Sequence, residues 1–144
     1  MPTTLVSDNE STFPIVIDSG ATASVMYHKE DYIDTIKLSQ FHQMQGLAEH
    51  LDIMGHGTIQ WIVNLDNGKP ITITTQAYNV PSITICLLSP QDYFHQLHTG
   101  HAIINPKNIQ LFWLPEQILT VPFDVTNNLP ITKVIRRKEQ QKQM

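Results

Sequence analysis

The chain has one cysteine, Cys86, among its 144 residues. A single thiol excludes an intramolecular disulfide and any zinc site built on paired cysteines, and it leads to the expectation of a reducing, cytoplasmic setting. Charge is also scarce, since Asp, Glu, Lys and Arg together make up 15% of the residues, too little for a chain kept unfolded by self-repulsion. The charges sum to −4, so no general attraction to nucleic acid is implied and no direct nucleic-acid contact is expected. No apolar run reaches the roughly 18 residues of a membrane-spanning helix, and Met1-Pro2-Thr3-Thr4-Leu5 lacks the charged-then-apolar order of a signal segment. No membrane contact is expected either.

What remains is a moderately apolar chain, 41% hydrophobic, of a length that suits one core and one domain. Residues 1–12 are polar and read as a flexible leader. Residues 13–131 carry the apolar runs of a folded body. Residues 132–144, with Lys133, Arg136, Arg137, Lys138 and Lys142 among glutamines, read as a solvated basic tail.

Inside the body the patterning is that of strands. Phe13-Pro14-Ile15-Val16-Ile17 is short and β-branched, and Asp18-Ser19-Gly20 stops it, which suits a buried strand entering a tight turn. Ile53 to Leu65 and Pro70 to Val80 form two long arms around Asp66-Asn67-Gly68-Lys69, a hairpin signal. Ile71 and Ile73 alternate with Thr72 and Thr74, the period of two of a half-buried strand. Ile83 to Leu88 is a further apolar run, Gln91 to His98 fits one or two helical turns, and Ile109 to Leu114 and Ile118 to Phe123 add two strands around Pro115. Short strands punctuated by Gly and Pro predict an all-β fold, a small barrel or sandwich with at most one short helix.

The turn Asp18-Ser19-Gly20 holds the most chemistry, because a strand end presents its carboxylate and a residue without Cβ lets the backbone close on it. With its surroundings, Ile17-Asp18-Ser19-Gly20-Ala21-Thr22 resembles the active-site segment of retropepsin-like aspartic proteases, in the variant carried by copia-type retrotransposon polyproteins. Gly55-His56-Gly57-Thr58, Tyr78-Asn79-Val80-Pro81 and Leu87-Leu88-Ser89 resemble later motifs of that family in the same order. Val121-Pro122-Phe123-Asp124 and Asn128-Leu129-Pro130-Ile131 look like the segment that follows in some copia-type polyproteins, so the likeness spans residues 13–131.

The resemblance implies a barrel of the retropepsin type and an endopeptidase acting on polypeptide, its own polyprotein included, with neither cofactor nor metal. It makes Asp18 the catalytic carboxylate, Ser19 a hydroxyl tying two active-site turns together, and Gly20 a backbone N–H aimed at the carboxylate. Ala21 and Thr22 then border the substrate, and Gln45, Gly46, Leu47 and Ala48, within Met44 to Leu51, form a flap over it.

This chemistry needs two carboxylates sharing one proton, an ionised one to activate water and a protonated one to polarise the scissile carbonyl. The chain has one Asp-Ser-Gly. Asp66 is explained by its hairpin, and Asp124 is not followed by the needed glycine. A symmetric homodimer, which sets identical residues across its two-fold axis, supplies the second carboxylate.

The chain departs from the retroviral pattern in Ile83-Thr84-Ile85-Cys86, which has no glycine before Leu87-Leu88 and has Cys86 where copia-type elements commonly carry Asn. A second reading from another class therefore stands beside the enzyme: a catalytically inactive barrel module of a decayed transposon, with a structural or association role. His95, His98 and His101 read as surface histidines, since Thr99-Gly100 interrupts any shared helix. Ser19 and Ser24 lie outside any Gly-x-Ser-x-Gly elbow, and Trp61, Phe112 and Trp113 read as core.

Overall fold

A computed structural model describes residues 12–28, 31–34 and 53–136 of the chain. The elements run β1 (Thr12–Ile17), β2 (Ser24–Met26), β3 (Gly55–Asn64), β4 (Pro70–Asn79), β5 (Cys86–Leu88), α1 (Pro90–Leu97), β6 (His101–Ile104), β7 (Asn108–Phe112), β8 (Ile118–Pro122) and β9 (Ile131–Arg136). Six strands close a barrel in the order β1-β5-β2-β4-β3-β9, with β9 returning antiparallel to β1. The other three form an antiparallel sheet, β6-β7-β8. The expected small all-β barrel with one short helix is the architecture of the chain. Among the described residues no helix is long and apolar enough to cross a membrane.

The hairpin of β3 and β4 is the longest pairing, in register from Gly55 opposite Asn79 to Asn64 opposite Pro70. Its turn is closed by Gly68 N–H on the Leu65 carbonyl (2.9 Å) and Leu65 N–H on the Lys69 carbonyl (2.8 Å). Gly68 alone in this turn has positive φ (87°), so the loop is a type I turn completed by a glycine bulge. Asp66 accepts both the backbone N–H (2.8 Å) and the hydroxyl (2.6 Å) of Thr120, which ties the hairpin to β8. Along β4, Ile73, Thr75 and Ala77 are buried while Thr72, Thr74 and Gln76 are exposed, the alternation expected of a strand with one wet face.

The barrel interior is filled by Ile15, Ile17, Ile59, Trp61, Ile73, Cys86, Leu88 and Val134. The same core continues under α1 through Tyr93 and Phe94 and into the three-stranded sheet through Ile109, Leu111, Trp113, Leu119 and Val121. Burying side chains of this size stabilises by about 1.5–3 kcal/mol each relative to exposure. Trp113 donates its indole N–H to the buried Tyr93 hydroxyl at 2.7 Å, so the polar handles of both rings are satisfied in place. Trp61 is fully buried. A second apolar cluster, Val16, Val25, Val80 and Leu87, packs on the other face of the sheet with half-buried Ile83 and Ile85 beside it.

Three elements differ from the sequence reading. The basic tail set at 132–144 begins too early, because residues 131–136 form β9 and pair with β1 from Thr12 opposite Ile135 to Val16 opposite Ile131. Val134 enters the core fully buried, and Arg136 is held by a buried carboxylate. Only three residues of Ile83 to Leu88 become a strand: Ile83 N–H turns back onto the Val80 carbonyl (3.3 Å), and β5 starts at Cys86. β6 was not foreseen, since all four of its residues are exposed and it has no two-residue period.

Cys86 is fully buried in β5, with its Sγ 3.3 Å from Met26 Sδ. Burial pushes its thiol up to about 12 from an ordinary 9.0. The thiolate is the reactive form, so the folded chain should react with a disulfide-type thiol reagent at pH 8 about 10³-fold more slowly than the urea-unfolded chain. Equal rates would contradict the burial of Cys86. The same shift favours the protonated fold, so its contribution to stability is complete below pH 9 and is lost as pH rises toward 12.

Candidate functional site

The turn after β1 is built around its own carboxylate. Asp18 N–H donates to the Leu88 carbonyl (2.8 Å), which fixes the turn to the end of β5, and Ala21 N–H returns to the Asp18 carbonyl (3.2 Å). Gly20 N–H donates to Asp18 Oδ1 at 2.9 Å. A Cβ at Gly20 would lie 3.3 Å from that oxygen, so the glycine is there for close approach and not for a positive φ. Asp18 is half-buried, whereas Ser19 and Gly20 are exposed.

Two side chains to which the sequence reading assigns no role hold the turn from behind. Gln91, at the second position of α1, donates its amide to the carbonyls of Ser19 (2.8 Å) and Ala21 (2.6 Å). Ser89 donates its hydroxyl to the Ala21 carbonyl at 2.8 Å and accepts Asp92 N–H at 3.2 Å as the N-cap of α1. Its backbone N–H in turn donates to the buried Ser24 Oγ at 3.0 Å, an acceptor role inside the scaffold. Pro90 at the first helical position supplies a preset φ and lacks an N–H that would be orphaned there. The only signal in sequence for this brace was Ser89-Pro90 as a helix start, which places Gln91 one residue in.

Asp18 follows Val16 by two, so the two side chains belong to one face of β1. That face is the one occupied by the second apolar cluster, Val16, Val25, Val80 and Leu87, and the half-buried Ala23, Tyr78, Ile83 and Ile85. The carboxylate therefore stands at the end of an apolar strip that is buried at Val16, Val25, Val80 and Leu87 and half-exposed at Ala23, Tyr78, Ile83 and Ile85.

Of the expected site residues, Asp18, Ser19, Gly20, Ala21 and Thr22 come together in this one turn. The Ser19 hydroxyl has no partner among the described residues. Ala21 is buried, and its carbonyl takes two of the bracing hydrogen bonds. Thr22 is exposed and borders a cleft of about 390 Å³ shared with Ala23, His56, Gln76, Ala77, Tyr78, Asp92 and Gln96. Gln45, Gly46, Leu47 and Ala48 lie outside the described residues. Gly57 is required by packing, since a Cβ there would stand 2.8 Å from Asp34 Oδ1 and 2.9 Å from the Tyr32 ring.

Among the described residues no group of three or more His, Cys, Asp and Glu side chains is arranged to hold a metal ion. His95 and His98 approach each other, but His101 stacks on Phe112 with ring centroids 4.7 Å apart. Asp124 is committed to a local turn, accepting the backbone N–H and hydroxyl of Thr126, and these bonds hold its carboxyl below the usual range. No family model, curated protein or solved structure matches the chain.

Proposed function

We propose that the chain is a retropepsin-like aspartic endopeptidase domain of a copia-type retrotransposon polyprotein, active as a homodimer on polypeptide substrates that include its own polyprotein. The observation that carries this reading is the clamp of Gly20 N–H on Asp18 Oδ1 at a strand end, because it orients one carboxylate oxygen while leaving the other for water or a partner carboxyl. The brace of Ser89 and Gln91 supports it, since a catalytic group must be held to within a fraction of an ångström by side chains that are themselves fixed. The half-buried apolar side chains of Ala23, Tyr78, Ile83 and Ile85 suit alternate side chains of an extended peptide. The motif order from Asp18-Ser19-Gly20 to Leu87-Leu88-Ser89 adds the family likeness.

One chain supplies one such carboxylate. In the dimer the two Asp18 carboxyls share a proton across the two-fold axis. The ionised one takes a proton from water as that water attacks the scissile carbonyl carbon. The protonated one donates to the carbonyl oxygen, giving a neutral tetrahedral diol that collapses with proton transfer to the leaving nitrogen. The exposed Ser19 hydroxyls meet between the two turns.

Activity then requires association. On a dilution series of purified chain, initial cleavage rates below the dimer dissociation constant should rise with the square of chain concentration and become linear once dimers dominate. Sedimentation on the same samples locates the crossover. A monomer with rates linear throughout would refute the shared pair, and a folded dimer that never cleaves would favour the inactive barrel module.

A further inference from the structure

The cleft bordered by Thr22 and Ala23 differs in chemistry from the apolar strip that leads to it. Ala23 and Tyr78 belong to both, so the two surfaces are continuous. Beyond them the lining turns polar, with Gln76 on β4 and Asp92 and Gln96 on α1. Gln96 bridges the walls: its amide donates to Asp92 Oδ2 (2.8 Å) and Thr75 Oγ (3.2 Å), and its oxygen accepts Gln76 N–H (3.1 Å). Asp92 Oδ2 is thereby fixed, and among the described residues no Lys or Arg pairs with the carboxylate. His56 and Tyr78 are cross-strand neighbours on β3 and β4 and meet edge to face, ring centroids 6.2 Å apart, as one aromatic side of the cleft lining.

A half-buried carboxylate with one oxygen anchored, next to an aromatic ring and amide oxygens, is a receptor for a long cationic side chain, whose stem covers apolar surface while its head takes charge-assisted hydrogen bonds. Thr22 follows Asp18 by four residues, so their Cα atoms are at most about 14 Å apart. An extended peptide advances about 3.3 Å per residue. The cleft is thus within about four residues of a bond held at Asp18.

We infer that this cleft selects a basic residue of the polypeptide substrate, and that Asp92 is the group that reads its charge. The inference rests on the proposed peptidase activity, and two measurements separate the fate of one from the other. In the first, the Asp18→Asn chain is titrated with the blocked hexapeptide Ala-Ala-Arg-Ala-Ala-Ala and with its citrulline counterpart, a neutral isostere, while backbone amide shifts are followed. The arginine peptide should move Thr22, Ala23, Gln76 and Asp92 and bind about ten-fold more tightly than the citrulline peptide. Adding Asp92→Asn, which keeps an acceptor for Gln96, should remove that difference, and Asp92→Glu should restore part of it. Equal binding of the two peptides by the parent overturns the inference, whether or not the Asp92 variants fold. In the second, the parent chain digests a denatured peptide library. Cleavage sites should be enriched in Lys or Arg at one position within four residues of the scissile bond, with the enrichment lost in Asp92→Asn. Cleavage without enrichment overturns the cleft's role and leaves the peptidase standing. Arginine-selective binding with no cleavage overturns the peptidase and, with it, the cleft's role in substrate choice.

Discussion

Asp18→Asn is expected to lower peptide cleavage on the order of 10³-fold or more, the scale on which general acid–base groups contribute, while leaving the barrel intact. The substitution is nearly isosteric, and an amide oxygen can still accept Gly20 N–H where Oδ1 now does at 2.9 Å. The Leu88 carbonyl still takes the backbone N–H of residue 18. Melting should therefore move by no more than about 2 °C, as for other changes outside the core. What disappears is the titrating group. The proposed homodimer would give this loss a second signature, because a mixed pair holds one carboxylate and cannot share a proton between two. Adding one equivalent of the variant to the parent, under conditions where dimers dominate, should cut the rate per parent chain to about half. The parental profile should be bell-shaped in pH, falling on the acid side when both carboxyls are protonated and on the alkaline side when both are ionised, with both limbs belonging to the pair. A variant as active as the parent would remove Asp18 from the chemistry, and a rate indifferent to added variant would remove the pairing.

How much of this was legible beforehand depended on whether a residue's partners were local. The β3–β4 hairpin could be read because Ile71, Thr72, Ile73 and Thr74 alternate and Asp66-Asn67-Gly68 supplies its own turn. The end of β1 could be read because β-branched residues stop at Asp18-Ser19-Gly20. The barrel's closure could not, since it rests on β9, where Lys133 and Arg136 made a strand resemble a soluble tail and the pairing partner, β1, lies at the other end of the chain. β6 was invisible because an exposed edge strand is under no demand to alternate. Within the candidate site, the turn at Asp18-Ser19-Gly20 was legible as a turn and its support was not: Gln91 acts on Ser19 and Ala21 from some seventy positions away, and a lone glutamine in a helix carries no mark of that. Asp31 was passed over for the same reason.

Asp31 sets up the largest expected effect on stability. It is 5% exposed and lies just before Tyr32, which bridges to Ile59 of β3, while Asp34 accepts Thr58 N–H at 2.9 Å, so its segment is sewn onto the barrel wall. Asp31 Oδ1 accepts from Arg136 Nε at 2.6 Å, and its Oδ2 is buried with no partner among the described residues. Arg136 also sits over the Phe13 ring, 4.5 Å from its centroid, and pairs along the backbone with Trp61. The ion pair thereby joins the last residue of β9 to the segment that carries Tyr32, and the contact with Phe13 ties the same side chain to β1. Arg136→Met keeps most of the apolar stem and leaves Asp31 as a buried carboxylate without a counter-charge, a change that costs about 3–5 kcal/mol and should lower the melting temperature by roughly 10 °C. The pair itself contributes far less, since desolvating both ions offsets most of their attraction. The double variant Asp31→Leu with Arg136→Met should therefore recover much of the loss, short of the cation–π contact with Phe13. Urea unfolding of parent, single variants and double variant at pH 7 measures both the loss and its recovery. A deficit of Arg136→Met below about 1 kcal/mol would mean that water, and not Arg136, satisfies Asp31.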